Sequence, residues 1–420
     1  MSPLARVHVV GAGLAGLAAA VRLADAGIDV VLHESAQHAG GRCRSYFDAA
    51  LGCRIDNGNH LLMSGNRAAM DYLAAIGAMG TLDGPAAAEY PFLDLATGER
   101  WVLRPGAGRV PWWLLDRARR VPGTRLRDYL GAVALARAGR DRTVAQVLDP
   151  RTALYRRFWR PLAVAALNTA PGEGSAALLA RVVAESFGRG GAACRPLLPR
   201  EGLSETLIDP ALAHLARRGA SLRLTRRLRA LEMSSARVER LGFETDSVAL
   251  GPDEAVILAV PAPVAVRLVP GLDAPADFRA IVNAHYRIAV AAPAPLFVGI
   301  IGGTAEWVFL KREVLSVTVS AADRLVDEPA DDLAVRLWRD VERAYDLPHQ
   351  HMPPAQIVKE RRATFAATPA ALLLRPPART LWANLALAGD WTDTGLPATI
   401  EGAIRSGFAA SDLLLSERAR

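Results

Sequence analysis

The sequence predicts an α/β fold, a parallel sheet with helices on its faces, interrupted by an inserted α+β region. Three observations carry that expectation. Val7 to Ser45 reads as a strand of β-branched residues (Val7 to Val10), a glycine turn, an alanine-rich helix ended by Gly27 and a second strand finishing at Glu34. Leu385 to Ser411 reads as a buried strand, a Gly389-Asp390 turn, a loop, and a helix beginning near Pro397 to Thr399. Between these ends the α/β texture returns over Pro199 to Pro261, with an amphipathic helix around Leu207 to Arg217, a strand carrying Leu222 and Leu224, and a buried strand in Asp253 to Pro261.

Each glycine of Gly11-x-Gly13-x-x-Gly16 has its own task. Gly11 makes the tight turn, Gly13 lets the backbone approach a diphosphate, and Gly16 lets the helix pack close to the strand. Phosphates then meet the helix N-terminus at Leu14 and Ala15. Glu34, followed by Ser35, stands where a carboxylate meets a ribose hydroxyl, and an acid there disfavours a 2′-phosphate.

Gly40-Gly41-Arg42 follows that acid almost at once, where a nicotinamide-binding unit would be starting its next helix. With GxGxxG, a strand-end Glu and then GGR, the chain resembles the FAD-dependent amine oxidase and phytoene desaturase superfamily. The resemblance implies FAD, with Gly40, Gly41 and Arg42 along the diphosphate, Gly58 and Asn59 against the flavin ring, and the strand near Leu228 presenting its backbone to the adenine. It assigns Gly389 and Asp390 to the ribityl and phosphate region, and Thr399, Ile400 and Ala403 to the ring end. A helix starting there aims its amides at the charge that develops on a reduced flavin. Glu201-Gly202 stands where the superfamily often has two glycines.

His60 is the nearest imidazole to this loop, and reads either as a proton donor or substrate-orienting group beside the flavin or as a hydrogen-bonded structural histidine. Trp391 reads as an active-site wall or as packing. Phe158 to Ser175, FWRPLAVAALNTAPGEGS, reads as a buried helix followed by a loop. Its W-x-P-L-x-x-A-A-L-N-T pattern, with Trp159 and Asn168 as pocket candidates, resembles the squalene-associated branch of the superfamily, the hydroxysqualene dehydroxylases; the same pattern also reads as a packing helix kept by descent.

The resemblance implies a discontinuous Rossmann-like FAD-binding domain (1–75, 200–265 and 379–420) and an inserted substrate domain (76–199 and 266–378). It implies reductive removal of a hydroxyl from a long isoprenoid, hydroxysqualene, by hydride from reduced flavin in a dry apolar pocket. The electron donor is unspecified. Three rivals share the motifs: a carotenoid-type desaturase, an amine oxidase, and a non-catalytic carrier of prenylated partners resembling the GDP-dissociation inhibitors. Lys311 and Lys359 are the only lysines, which ranks the amine oxidase low.

Composition narrows the rest. The net charge of +7 comes almost wholly from arginine in an alanine-rich chain, with no nucleic-acid motif beside it. Cys43, Cys53 and Cys194 show neither metal nor redox spacing, and His349 and His351 are an i, i+2 pair without further ligands, so no metal is expected. The opening residues lack a secretory pattern, which predicts a cytoplasmic protein. Ile288 to Ala305 is uncharged and nearly long enough to span a bilayer, but its prolines and Gly302-Gly303 predict two buried strands joined by a turn. Leu103 to Arg142 is rich in arginine and contains Pro111-Trp112-Trp113-Leu114-Leu115, which reads as peripheral contact with an anionic membrane or as a helix packing its aromatics inward.

Overall fold

The computed structural model describes residues 4–348 and 351–418; His349 lies outside them. In chain order the elements used below begin with β1 (Arg6–Val10), α1 (Leu14–Asp25), β2 (Asp29–His33), β3 (Ser45–Asp48), β4 (Cys53–Asp56), β5 (Tyr90–Asp94) and β6 (Arg100–Leu103). The middle supplies α2 (Arg160–Leu167), α3 (Ala176–Glu185), β7 (Ser221–Arg223), β8 (Leu228–Met233) and β9 (Glu254–Leu258). The last part supplies β10 (Phe278–Arg287), β11 (Phe297–Ile301), β12 (Trp307–Lys311), β13 (Val314–Val319), α4 (Ala330–Ala344), β14 (Ala355–Phe365), β15 (Leu385–Leu387) and α5 (Ile400–Arg418).

A five-stranded parallel sheet, in the order β7-β2-β1-β9-β15, draws its strands from both ends and the middle of the chain. Its inner strands are nearly continuous runs of Val, Ile and Leu because both faces are covered, one by α1 and α5 and the other by antiparallel strands carrying Leu228, Val238, Leu241 and Phe243. The two ends meet at α1 and α5. A Cβ on Gly407 would lie 2.2 Å from the carbonyl of Ala15, so the helices touch backbone to backbone there. Arg22 of α1 pairs with Asp412 at 2.5 Å and lies over the Phe408 ring, closing the same seam.

The second sheet, β14-β10-β13-β12-β11-β5-β6, has seven strands and two chemically distinct faces. Strand alternation and the observed register put Val282, Ala284, Leu315, Val317, Val308 and Val298 on one face. These form one core with Leu333, Leu337, Trp338 and Val341 of α4, whose spacing gives the helix a single apolar stripe. The other face carries Asn283 and His285, Ser316 and Thr318, then Trp307, Phe309 and Lys311, and beyond them Phe297, Phe92 and Trp101. It is polar at one end and aromatic at the other.

Two local expectations change. Of Ile288 to Ala305 only Phe297–Ile301 is a strand, while the residues around Pro293 and Pro295 form a largely exposed loop, since two prolines deny a ladder its donors. The Leu222 strand is a three-residue edge, and Leu222 and Leu224 stay 39% and 38% exposed because no helix covers them.

Candidate functional site

At the opening turn the three glycines differ by what surrounds them. Gly11 has φ +104° and a Cβ there would strike the Ala259 carbonyl at 2.4 Å; a Cβ on Gly16 would lie 1.9 Å from the Gly11 carbonyl. Gly13 has no atom within 4 Å of such a Cβ, so it faces open space. It is also the N-cap of α1 without a side-chain cap, which leaves the amides of Leu14, Ala15 and Gly16 aimed at that space. Gly40 donates its N–H to the Ala12 carbonyl at 2.8 Å, and Gly41 lies against Gly13.

Glu34 is held rigidly, accepting from the Ala12 and Ala36 amides, each at 2.8 Å, and from the Ser35 hydroxyl at 3.1 Å. The Arg226 amide donates to the Glu34 carbonyl at 2.8 Å, bringing the chain leading into Leu228 alongside. Leu228 itself is 7% exposed at the start of β8.

The decisive contact joins the two ends. Arg42 donates to both Asp390 oxygens at 2.8 Å, and its other nitrogen reaches the Ala363 carbonyl at the end of β14. Their mutual charge raises the basicity of Arg42. Arg375 holds the same turn from the opposite side. Buried, it donates to the Asp390, Trp391, Thr392 and Leu396 carbonyls and lies over the Phe365 ring. No sequence signal marked Arg375, since its acceptors are backbone carbonyls apart from the Thr394 hydroxyl at 3.2 Å. Beyond the turn, Gly389 donates to the Ser406 hydroxyl at 2.8 Å, Thr399 accepts from the Gly402 amide at 3.0 Å, and its carbonyl accepts from Ala403 at 2.9 Å. Ile400, 6% exposed, begins α5.

The loop after β4 crosses the polar end of the seven-stranded sheet. The Asn283 side chain donates to the Asn57 carbonyl and accepts from Thr318, which in turn accepts from the Asn59 amide at 3.0 Å. A Cβ on Gly58 would press on Asn283 at 3.3 Å. Asp56 is buried, accepting from Ser45 at 2.6 Å, from the Leu203 amide at 2.9 Å, and from the Lys311 ammonium. Asn283, Thr318 and Lys311 lie more than 200 residues from the loop they fix, so local pattern alone did not reveal them.

Asn59, His60, Phe309 and Lys311 line one cavity of about 140 Å³, with Leu198 and Leu296 at its apolar edge. Burial brings the His60 pKa down to about 4, with nearby Arg42 and Lys311 opposing its charge and Asp56 favouring it. At neutral pH His60 is therefore an uncharged hydrogen-bonding group.

Trp391 is 3% exposed and donates to the Val260 carbonyl at 2.9 Å. Trp159 is 4% exposed with its indole nitrogen unpartnered. Asn168, left-handed at φ 47°, ends α2 and spends its amide on Thr364, the Arg279 carbonyl and the Ala321 N–H. None of these three lines the cavity beside His60. Among the described residues no three His, Cys, Asp or Glu side chains gather as a metal site.

Residues 14–415 match the family of flavin containing amine oxidoreductases. Hydroxysqualene dehydroxylase of Rhodopseudomonas palustris is 52% identical over 411 residues, covering 98% of both chains. The protein of the same name from Sinorhizobium fredii is 51% identical, again with 98% of each chain covered. The chain belongs to the flavin-containing amine oxidoreductases, in the hydroxysqualene dehydroxylase branch. Its fold is shared with cyclohexylamine oxidase of Brevibacterium oxydans at a TM-score of 0.68 and 17% identity, over the whole of both chains.

As a member of that family the protein is an FAD-dependent oxidoreductase. The open space at Gly13, the uncapped α1 terminus and the rigid Glu34 carboxylate fit the dinucleotide half of FAD.

Three further histidines are buried near or within this frame. His8 and His33 touch at 3.1 Å between β1 and β2, burial lowers both, and His33 falls to about 3. His285, bonded to Ser316 at 2.8 Å, falls to about 4 for the same reason. A histidine whose folded pKa is depressed binds its proton more readily when unfolded, so the stability it contributes is whole above its ordinary value of 6.5 and is lost as pH falls towards the folded one. His33 and His285 each cost about 1.4 kcal/mol per pH unit in that window. The melting midpoint should drop by about 5 °C between pH 7 and pH 5, and a flat profile in a pH-resolved thermal scan would refute the buried neutral state.

Proposed function

We propose that this protein removes the hydroxyl of hydroxysqualene to give squalene, a reductive step in isoprenoid metabolism. The observation that carries the reading is identity at about half of all positions, over nearly the full length of both chains, to the hydroxysqualene dehydroxylases. The cavity offers both parts of such a substrate a partner: His60 and Lys311 can meet an alcohol, and Leu198, Leu296, Phe309 and Leu310 a hydrocarbon, with the charged Asp83, Arg200, Glu201 and Arg312 also in its lining.

When bound and reduced, FAD supplies the hydride. The chain's own residues do the rest. Arg42, Arg375 and Asp390 hold the closing turn, and Asn283 and Thr318 fix Asn57 and Asn59. His60, neutral, hydrogen-bonds the departing oxygen, while the apolar wall keeps water from the carbon left behind. Mixed anaerobically with hydroxysqualene, the reduced protein should reoxidise its flavin and yield squalene. His60→Ala should slow that single turnover by about tenfold or more, within the range of general acid–base effects. An unchanged rate would remove His60 from the chemistry. Bleaching of the oxidised protein by a more saturated polyene would instead favour a desaturase.

The substrate dissolves in membranes, and one surface suits delivery from there. Val110, Trp112, Leu115 and Leu130 are 54%, 71%, 62% and 65% exposed, among the exposed Arg109, Arg117, Arg119, Arg125 and Arg127. Trp113 turns inward, packing edge-on against Tyr129. No described helix is long and apolar enough to cross a bilayer. On this reading the protein rests peripherally on an anionic membrane surface through Trp112 and its neighbours. Trp112→Ala with Leu115→Ser should weaken binding to phosphatidylglycerol vesicles by about tenfold in a sedimentation assay, and neutral vesicles should bind weakly throughout. Equal binding of the variant would discard this surface.

A further inference from the structure

Among the described residues, the cavity beside His60 has no carboxylate left unpaired to meet a positive charge formed within it. Its ionised side chains are already matched: Lys311 pairs with Asp56, Arg200 with Asp83 at 2.9 Å, and Arg312 with Glu201. Asp56 is further saturated by Ser45 and Leu203. Positive charge formed on a bound hydrocarbon there meets ring faces, which attract it through their quadrupole.

One ring is in place. Phe309, on the polar-to-aromatic face of the seven-stranded sheet, lines the cavity with His60 and Lys311. Behind it the rings continue without a break: Phe309 to Phe297 at 6.3 Å between centroids, Phe297 to Tyr90 at 6.0 Å, Tyr90 to Phe187 at 5.7 Å, Phe187 to Phe158 at 5.4 Å, and Phe158 to Trp159 at 4.8 Å. The series links the cavity to the Phe158-Trp159 pair that opens α2. Strands supply Phe309, Phe297 and Tyr90, and short helical turns supply Phe187, Phe158 and Trp159.

We propose that Phe309 is a catalytic residue whose ring face stabilises the positive charge on the carbon that loses its hydroxyl. This rests on the dehydroxylase reading. The carbon–oxygen bond breaks with both electrons going to oxygen, and the hydroxyl takes a solvent proton relayed past His60 and leaves as water. The carbon, now positive and allylic, is held against the Phe309 face until it accepts a hydride from reduced flavin, which is thereby oxidised by two electrons.

Fluorinated phenylalanines at position 309 keep the ring's shape while draining its face of negative charge. Single-turnover dehydroxylation should fall stepwise with added fluorine, by up to about 30-fold in all, and Phe309→Trp should retain activity. Binding supplies a readout apart from turnover. The holoenzyme should prefer a squalene analogue bearing an ammonium at the reacting carbon over its neutral ether counterpart, and Phe309→Leu should lose about tenfold of that preference while keeping the ether. A flat fluorine series, or an unchanged preference, would overturn the role of Phe309. A wild-type protein that leaves hydroxysqualene untouched would instead overturn the dehydroxylase reading beneath it. FAD content and melting midpoint should stay those of the wild type across the fluorine series.

Discussion

Gly13→Ala should fold as the wild type does and yet lose FAD, whereas Gly16→Ala should damage both. The difference follows from the space around each residue. Gly13 has φ −76° and nothing within 4 Å of the added carbon, so the apoprotein tolerates a methyl there. That methyl enters the space over which Leu14, Ala15 and Gly16 aim their amides, and overpacking of about 1–3 kcal/mol against a bound diphosphate weakens affinity by about 5- to 150-fold. At Gly16 the carbon meets the Gly11 carbonyl at 1.9 Å, so α1 must shift from β1 before any ligand arrives. The melting midpoint of that apoprotein should fall by about 5 °C or more. Equilibrium dialysis against FAD, with thermal scans of the apoproteins, separates the two. A Gly13→Ala protein that binds FAD normally would show that the space serves something else.

Removing the Arg42–Asp390 contact should have an effect of similar size, with a signature that only a shared grip produces. Arg42→Met leaves the Asp390 carboxylate, 7% exposed, without its guanidinium and beside the place that the resemblance implies for the diphosphate. Truncating one partner of a buried pair costs about 3–5 kcal/mol. The Arg42 side chain is 45% exposed, which places the loss at or below the lower end, about 30- to 150-fold in FAD affinity. Arg42→Met with Asp390→Asn should cost much less than the two single changes together, by about 1.5 kcal/mol in a double-mutant cycle. Additive losses would mean that the opening and closing motifs hold their ends of the cofactor independently.

The parts legible in the sequence are those whose signal is local. β1, α1 and β2 follow from a β-branched run, an alanine-rich stretch and Gly27, and α5 follows from Pro397 to Thr399. Asp253 to Pro261 reads as buried because it lies inside a parallel sheet, with β1 on one side and β15 on the other. What escaped is non-local. Arg375 grips backbone carbonyls that carry no sequence signature, and Asn283 and Thr318 meet the Asn57–Asn59 loop only because two sheets come together. The aromatic face is assembled from β5, β6, β11 and β12, where each strand contributes one or two rings that mean little alone. The uncharged run from Ile288 misleads for a related reason: apolar composition does not report exposure, and Pro293 and Pro295 belong to a loop.

The central claim is that both ends of the chain hold one flavin against an oily cavity in which hydride reaches a carbon stripped of its hydroxyl. A single anaerobic turnover in D₂O tests it most directly, because the transferable hydrogen on reduced flavin exchanges with solvent. The account predicts one squalene per flavin reoxidised, with a single deuteron at the former carbinol carbon, at a rate matching flavin oxidation. Flavin that stays reduced beside intact hydroxysqualene, or squalene formed without deuterium at that carbon, would contradict it.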